Sequence, residues 1–477
     1  LGVRLYLFRN YYTINNDGVV YLQAARHFRE GDWLQGLASF YPPLFPLMAA
    51  LVYPVVGDWE LAGQLWPFIL GVLVLFPLFG LLRRVYGIRV AQVALFFYAL
   101  SPYLARLSLE VRTEIPYVFF SVSALYLLQR GLDGGKAREF VLSGIISALA
   151  YLTRPEGVGL MVVGCFFLLY RGWMLGRLRK YALRAAVLAL GFVLFSAPYI
   201  AYLRWDTGSW AISRKTSLIF SMALARHGVD WDEPGVTDSN QVRIVDFVAS
   251  HPFTYLKKVF IDAFRSVGFY FEALHYSYLP FLFIGWFFFF RERFWEKSDF
   301  LFLVLVTFYL GTFALLYVTR RYGIPLAALS LGWVALGFVA MRDYFDNRWG
   351  KRSVVLTGIV LFFFTVGTLP KTLQAIGKDK FYLREAGVYL KEKPGRPTIV
   401  TTNGRVAFYA EGENRIVLKD PRDLSTLLVS ADGSYLALDR ESYKQAESSF
   451  REQGWVFDRE FSSGREGLSV LRRAAVP

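Results

Sequence analysis

Residues 320–370 read RRYGIPLAALSLGWVALGFVAMRDYFDNRWGKRSVVLTGIVLFFFTVGTLP. Two apolar runs, 322–341 and 353–370, flank a basic stretch that carries Arg342, Arg348, Lys351 and Arg352. Each run is close to the roughly 20 residues a helix needs to cross a hydrocarbon core. Neither holds a charged side chain, and a charge at membrane depth costs about 2.5–3.5 kcal/mol on insertion scales. Apolar, basic, apolar is therefore the pattern of two membrane helices joined by a short loop.

The same pattern extends outward. Runs at 61–82, 183–203 and 299–318 have similar length and similarly few charges. The chain is 55% hydrophobic and 18% aromatic, too apolar for an ordinary soluble protein of 477 residues. The formal net charge of +15 suggests nucleic acid in a soluble protein. Here the excess Lys and Arg lie in short loops between apolar runs, which excludes nucleic acid as the partner and makes the charge topological. The single cysteine, Cys165, lies in an apolar run and reads as a small packing residue, so neither an intramolecular disulfide nor a thiol metal cluster is available.

Basic connections occur at 83–89, 130–138, 171–184, 291–297 and 342–352. The positive-inside rule places them in the cytoplasm and every alternate connection outside. The outer segments are then 9–60, 105–114, 153–157, the long connection 205–276, 319–321 and the tail from 371. This predicts about ten full spans after residue 60 by length. Leu1–Phe8 reads as the end of a further span, giving about eleven with the first truncated. The short apolar stretch 43–56, interrupted by Pro46 and Pro54, reads as an interfacial helix. Residues 1–370 thus form an α-helical polytopic membrane domain, and 375–477 a small extracytoplasmic α/β domain. In that domain Phe381–Lys391 and Arg440–Arg451 read as helices. Thr398–Thr402, Val406–Tyr409, Ile416–Leu418, Tyr435–Leu438 and Leu468–Leu471 read as strands. It contains no phosphate loop, zinc spacing or nucleophile elbow.

The polar residues of interest lie in the outer connections. Asn15-Asn16-Asp17-Gly18 precedes an amphipathic stretch, and by spacing alone it reads as a helix cap. Glu110 and Glu114 are four apart and would share one helix face, with Arg106 a possible ladder partner for Glu110. Glu114 stands directly before the apolar run 115–129, where a carboxylate needs a partner. In Thr153-Arg154-Pro155-Glu156-Gly157, mutual pairing of Arg154 and Glu156 is one account and phosphate recognition by Arg154 another. Arg320 and Arg321 break the charge rule at an outer surface, which an anionic ligand or lipid headgroups would explain.

Taken in order, Asp17, then Tyr41-Pro42-Pro43-Leu44, Glu114, Thr153-Arg154-Pro155-Glu156-Gly157 and Arg321-Tyr322-Gly323-Ile324-Pro325 resemble the GT-C superfamily of glycosyltransferases. The nearest branch is the bacterial protein O-mannosyltransferase-like group that includes the aminoarabinose transferase of lipid A. The resemblance spans roughly residues 1–370. It implies a multi-pass enzyme of the bacterial cytoplasmic membrane that moves a sugar from a polyprenyl-phosphate donor to an extracytoplasmic acceptor with inversion. It also implies that Asp17 is the catalytic carboxylate and Glu114 a second acidic site residue that orients the acceptor or holds a metal. Arg154, Arg321 and Tyr322 would face the leaving phosphate, with Glu110, Glu156, Arg320 and Tyr41 as further site residues. The chain departs from the pattern at Tyr41, where some relatives carry lysine, so that lysine's role does not transfer. Some relatives bind a divalent metal ion and others need none; His27, His227, His251 and His275 show no ligand spacing. Competing readings are a transporter of an anionic or lipid-linked substrate, which should show internal repeats and mid-membrane charges, and a transferase of the O-antigen polymerase or ligase kind.

Overall fold

The stretch 320–370 folds as two helices, Arg320–Trp349 and Ser353–Thr372, joined by the turn Gly350–Arg352. Gly350 sits at φ +49°, a left-handed conformation that glycine adopts without steric cost. The computed structural model describes residues 1–229, 244–291, 293–393, 398–411, 415–417 and 435–473. The centre of the expected long connection, 230–243, and Leu418 of one expected strand lie outside the described residues. The chain forms two compact units, one of Leu1–Leu5 with Ala24–Leu373 and one of Tyr6–Gln23 with Gln374–Pro477.

The first unit is helical. Four helical stretches among the described residues are long and apolar enough to cross a membrane: Trp59–Tyr86, Pro155–Met174, Leu178–Thr207 and Arg320–Thr372. A fifth is the pair Pro252–Leu274 and Tyr276–Phe290, if it is one span bent by 85°. About ten spans were expected from apolar runs, but some apolar helices, such as Ile88–Leu100 and Phe300–Leu315, are shorter than that length. The helix Leu44–Val56 forms where the interfacial segment was expected.

These helices are inverted relative to soluble ones. Leu183, Leu190 and Leu194 of Leu178–Thr207 are exposed, while Gly191 lies against the backbone of Val141 in Ala137–Thr153. Gly285 and Gly337 likewise let Leu279–Phe290 meet Arg320–Trp349 backbone to backbone, and a Cβ on either would collide with the Trp333 or Phe281 carbonyl. Lipid is as apolar as leucine, so helices associate through close packing at small residues and turn large side chains outward.

The connections sort to two ends. Arg84 pairs with Asp133 at 2.8 Å and Arg89 with Asp343 at 2.6 Å. Arg184 stacks on Phe140 at 5.2 Å, and Arg171 donates to the Glu296 carbonyl at 2.8 Å. These contacts gather the five basic connections at one end, with Phe140 lying just beyond the connection 130–138. The helices Glu114–Gly134, Ala137–Thr153 and Arg320–Trp349 each run between that basic end and residues 114, 153–154 or 320–321. At about 1.5 Å per residue, a 21-residue helix spans about 30 Å, the thickness of a hydrocarbon core.

The second unit contains a five-stranded sheet, order β2-β1-β3-β5-β4. The strands are β1 (Ile399–Thr401), β2 (Arg415–Val417), β3 (Tyr435–Asp439), β4 (Trp455–Ser463) and β5 (Glu466–Arg473). β1 pairs in parallel with β2 and β3, and β5 pairs antiparallel with β3 and β4. Both faces of the sheet are covered. Ile399, Ala437, Leu468 and Val470 pack with Leu383 and Leu390, while Val400, Leu436, Leu438 and Leu471 pack with Tyr443 and Phe450. The alternation follows from the two-residue strand period. Helices appear at Phe381–Lys391 and Arg440–Glu452, as expected. Val406–Tyr409, expected as a strand, lies in the helix Gly404–Ala410. The Asn403 side chain accepts from the Arg405 N–H at 3.1 Å and starts this helix. A short apolar run bears no period that separates strand from buried helix.

Candidate functional site

Three breaks in the helices build a cluster in the first unit. The chain from Ser108 to Thr113 is irregular, and the next helix begins at Glu114. Pro116 falls in its first turn, where a missing N–H costs no helical bond. Glu110 and Glu114 therefore do not share a helix face, and Glu110 pairs with Arg112 at 2.7 Å. At the second break Arg154 is extended (φ −148°, ψ 136°), because the residue before proline is pushed out of the helical region. Gly157 lies on the backbone of Ala150 and Tyr151, with no room for a Cβ. This tight turn projects Arg154 inward. At the third break, extended Thr319 precedes the helix that opens with Arg320 and Arg321.

These breaks converge on Glu114, whose side chain is 0% exposed. Arg321 donates to Glu114 Oε1 through Nε at 2.9 Å and Nη2 at 2.7 Å. Arg154 Nη1 lies 3.3 Å from the same oxygen and Arg112 Nη1 4.0 Å from it. Burying a lone carboxylate costs several kcal/mol, and the three guanidinium groups offset that cost. Glu114 Oε2 is buried without a hydrogen-bond partner among the described residues.

Arg154 reaches further. It pairs with Glu156 at 3.0 Å, donates to Thr113 Oγ1 at 3.3 Å, and its guanidinium lies 5.6 Å from the centre of the Tyr322 ring. Tyr309 donates to the Glu156 carbonyl at 2.8 Å and accepts from Tyr117 at 3.0 Å. Tyr117, Arg154, Glu156, Tyr309 and Tyr322 line a small cavity with Phe313 and Pro325. The side chain of Arg321 remains 34% exposed, so this cation of the cluster stays within reach of an incoming anion.

Of the residues singled out in the sequence, the structure thus brings Glu114, Arg154, Glu156, Arg321 and Tyr322 together, with Glu110 joined to them through Arg112. Mutual pairing of Arg154 and Glu156 occurs together with the contact to Glu114. Arg320 faces elsewhere, bonded to Glu272 at 2.6 Å and stacked on Tyr103 at 5.1 Å. Tyr41 lies under an ammonium group: Lys215 Nζ is 3.4 Å from its hydroxyl and 4.5 Å from its ring centre. Lys215, Arg112, Tyr117 and Tyr309 were not recognised from sequence. Arg112 alone carried a signal there, as a cation two residues from each of two acidic groups.

Asp17 belongs to the second unit. It lies in the first turn of the helix Asn16–Glu30. Asn15 Oδ1 accepts from the Gly18 N–H at 2.8 Å, so Asn15 is the capping side chain and Asp17 is not required as one. A divalent ion does not fit at Glu114, where three guanidinium groups already face the carboxylate. Among the described residues no group of three or more His, Cys, Asp and Glu side chains has metal-binding geometry.

Residues 41–202 match the family model of dolichyl-phosphate-mannose-protein mannosyltransferases. The whole fold is similar to that of ArnT from Cupriavidus metallidurans bound to undecaprenyl phosphate, with a TM-score of 0.61 at 13% identity over 99% of this chain and 96% of that one. It is also similar to the Archaeoglobus fulgidus oligosaccharyltransferase in complex with zinc and sulfate, with a TM-score of 0.57 at 14% identity over 92% of this chain and 65% of that one. The oligosaccharyltransferase AglB of the same organism, in complex with an inhibitory peptide and a dolichol-phosphate, gives 0.53 at 14% identity over 96% and 70%. No curated protein is significantly similar in sequence. The family model covers the helices that supply Glu114 and Arg154, and the likeness in fold extends over nearly the full chain.

Proposed function

We propose that the protein is a membrane glycosyltransferase that moves a sugar from a polyprenyl-phosphate donor to an acceptor hydroxyl outside the cytoplasmic membrane. The observation that carries this reading is the convergence of Arg154, Arg321 and Tyr322 around buried Glu114. A polyprenyl-phosphate leaving group departs with negative charge on oxygen. Guanidinium groups fixed in advance stabilise such charge as it develops, and one pre-placed hydrogen-bond donor at a developing oxyanion is worth about 10²–10³ in rate. Similar folds bound to undecaprenyl phosphate and to a dolichol-phosphate support the same donor class.

In this reading Asp17 accepts the proton of the acceptor hydroxyl. The hydroxyl oxygen bonds to the anomeric carbon, the bond from that carbon to the phosphate oxygen breaks, and its electron pair leaves with the phosphate. One displacement inverts the anomeric centre. Glu114 holds Arg321 and Arg154 in place through Oε1, and its Oε2 is available to accept from a sugar or acceptor hydroxyl. Arg321, the more exposed of the two cations, meets the phosphate. The basic end faces the cytoplasm, and the Glu114 cluster and the sheet domain face outside.

The test is incubation in nanodiscs with undecaprenyl-phosphate-linked hexoses and pentoses and with lipid, glycan and peptide acceptors, followed by mass analysis of released undecaprenyl phosphate. Release that depends on acceptor, and falls at least about 100-fold in Arg321→Ala, supports the reading. Release unaffected by Arg321→Ala refutes the assigned phosphate site.

A further inference from the structure

The sheet domain carries no motif of its own for chemistry, yet it forms one compact unit with residues 6–23. The reason lies in the chain from Asn10 to Asn16. Residues 12–15 have no regular structure, so their backbone groups need partners from elsewhere. The Tyr12 N–H donates to the Ile376 carbonyl and the Ile376 N–H to the Asn10 carbonyl, both at 2.9 Å. The Ile14 N–H donates to the Tyr409 hydroxyl at 2.8 Å, in a buried contact. Arg384 donates to the Tyr12 carbonyl at 3.1 Å, and Arg405 Nε to Asn16 Oδ1 at 2.7 Å. Gly377 presses so close to Thr13 that a Cβ would lie 2.6 Å from its carbonyl oxygen. Phe381 stands edge-on to the Tyr12 ring at 5.5 Å.

Two of these partners come from one short helix. Arg405 and Tyr409 are four residues apart in Gly404–Ala410, hence on one face. That helix follows β1 directly, and its start is fixed by Asn403. The sheet thereby sets the position of both side chains, and they set the positions of Ile14 and Asn16. Asp17 is the next residue.

We infer that the C-terminal domain is the positioning scaffold of the Asp17 segment, with Arg405 and Tyr409 as its positioning residues. The inference rests on the reading of Asp17 as the proton acceptor. Asp17 opens a helix that an irregular segment leads into; without fixed partners that segment would let the carboxylate sample many positions, and a misplacement of about 1 Å costs on the order of 100-fold in rate. Neither residue touches substrate; they act through the backbone and Asn16.

The experiment uses the full chain in nanodiscs, with Asn16→Ala, Arg405→Ala, Asn16→Ala/Arg405→Ala, Tyr409→Phe and Asp17→Asn compared by kcat and by KM for an undecaprenyl-phosphate sugar. Hydrogen exchange of residues 11–18 is measured alongside. Arg405→Ala and Tyr409→Phe are expected to lower kcat by about 10–100-fold, to leave donor KM within about twofold, and to speed exchange of the segment. The Asn16/Arg405 double variant should lose no more than either single one, since both remove one interaction. Unchanged exchange in both Arg405→Ala and Tyr409→Phe overturns the scaffold. So does wild-type kcat in these variants while Asp17→Asn is inactive, which leaves the Asp17 reading standing. Additive losses from Asn16→Ala and Arg405→Ala with a lowered melting temperature reduce the contact to general stability and also overturn it. An active Asp17→Asn removes the catalytic reading and the positioning role with it.

Discussion

Substituting Glu114 by glutamine tests the cluster at its centre. The side chain keeps its size and one oxygen, but the negative charge that faces both Arg321 and Arg154 disappears. At 2.7 and 3.3 Å, and with an effective dielectric of about 20, each pair contributes about 5–6 kcal/mol of gross attraction. Much of that offsets desolvation, so breaking such a buried pair costs about 3–5 kcal/mol net. The retained amide oxygen still accepts one guanidinium hydrogen bond, which places Glu114→Gln near 3 kcal/mol. Arg112→Gln should cost far less, because Arg112 is 4.0 Å from Glu114 and pairs more closely with Glu110, at 2.7 Å. Both are measured by thermal melting in detergent beside single-turnover release of lipid phosphate. Glu114→Gln should melt several degrees lower and lose at least about tenfold in rate as the arginines move. A glutamine variant with wild-type melting and wild-type turnover would refute the view that Glu114 organises the site.

Asp17→Asn should fold normally, since Asn15 supplies the cap, and should lose at least about 100-fold in single-turnover rate as a general base would. Near wild-type turnover there would end the catalytic assignment and leave the fold intact. Lys258→Met should destabilise by about 3 kcal/mol, because Lys258 donates to the carbonyls of Ala314, Leu315 and Leu316 at 2.8, 3.1 and 2.8 Å and pairs with Asp262 at 3.3 Å. Removing Asp262 as well, as Lys258→Met/Asp262→Leu, should recover part of the melting temperature, and an unshifted melt of the single variant would count against the clamp. Cysteines placed at Lys351 and Lys444 should label from opposite sides of the membrane, and equal labelling from outside would end the proposed topology.

Much of the helical unit was legible because bilayer energetics write themselves into sequence as charge-free runs. The run 353–370 became Ser353–Thr372, and the amphipathic stretch Phe381–Lys391 kept both its ends. Legibility failed where local signals compete or are silent. Val406–Tyr409 is too short for its period to declare itself, and Asn403 decided it as a helix. β4 was missed because Trp455 is its only fully buried residue, so it lacks the apolar alternation that marks a strand. In the candidate site, Glu114, Arg154 and Arg321 were each singled out from unexplained charges beside apolar runs. That Arg321 and Arg154 share a single oxygen of Glu114 is a contact across 207 residues in one case, for which a single sequence carries no trace. Arg320 and Arg321 looked equivalent, and only the helix start separates them, one turning to Glu272 and the other to Glu114.

The position of the cluster along the helices constrains the chemistry more than its composition does. Glu114, Arg154 and Arg321 stand at one end of helices whose other ends carry Asp133, Arg138 and Asp343 with the basic connections. About 30 Å of helix separates the two levels, so a cluster built on these helix ends lies at headgroup depth when the apolar runs fill the bilayer. A polyprenyl chain leaves the bilayer only at about 0.8 kcal/mol per CH₂, so its phosphate is confined to that depth. A cation that must meet the phosphate has to be anchored there, yet an arginine on a lipid-facing surface would drift toward the headgroups. A buried carboxylate such as Glu114 solves this by holding two guanidinium groups at a fixed level while leaving one of them, Arg321, open to the anion. In the proposed function, the ion pairs that look like a stability device at these helix ends are what would fix the height of the phosphate site.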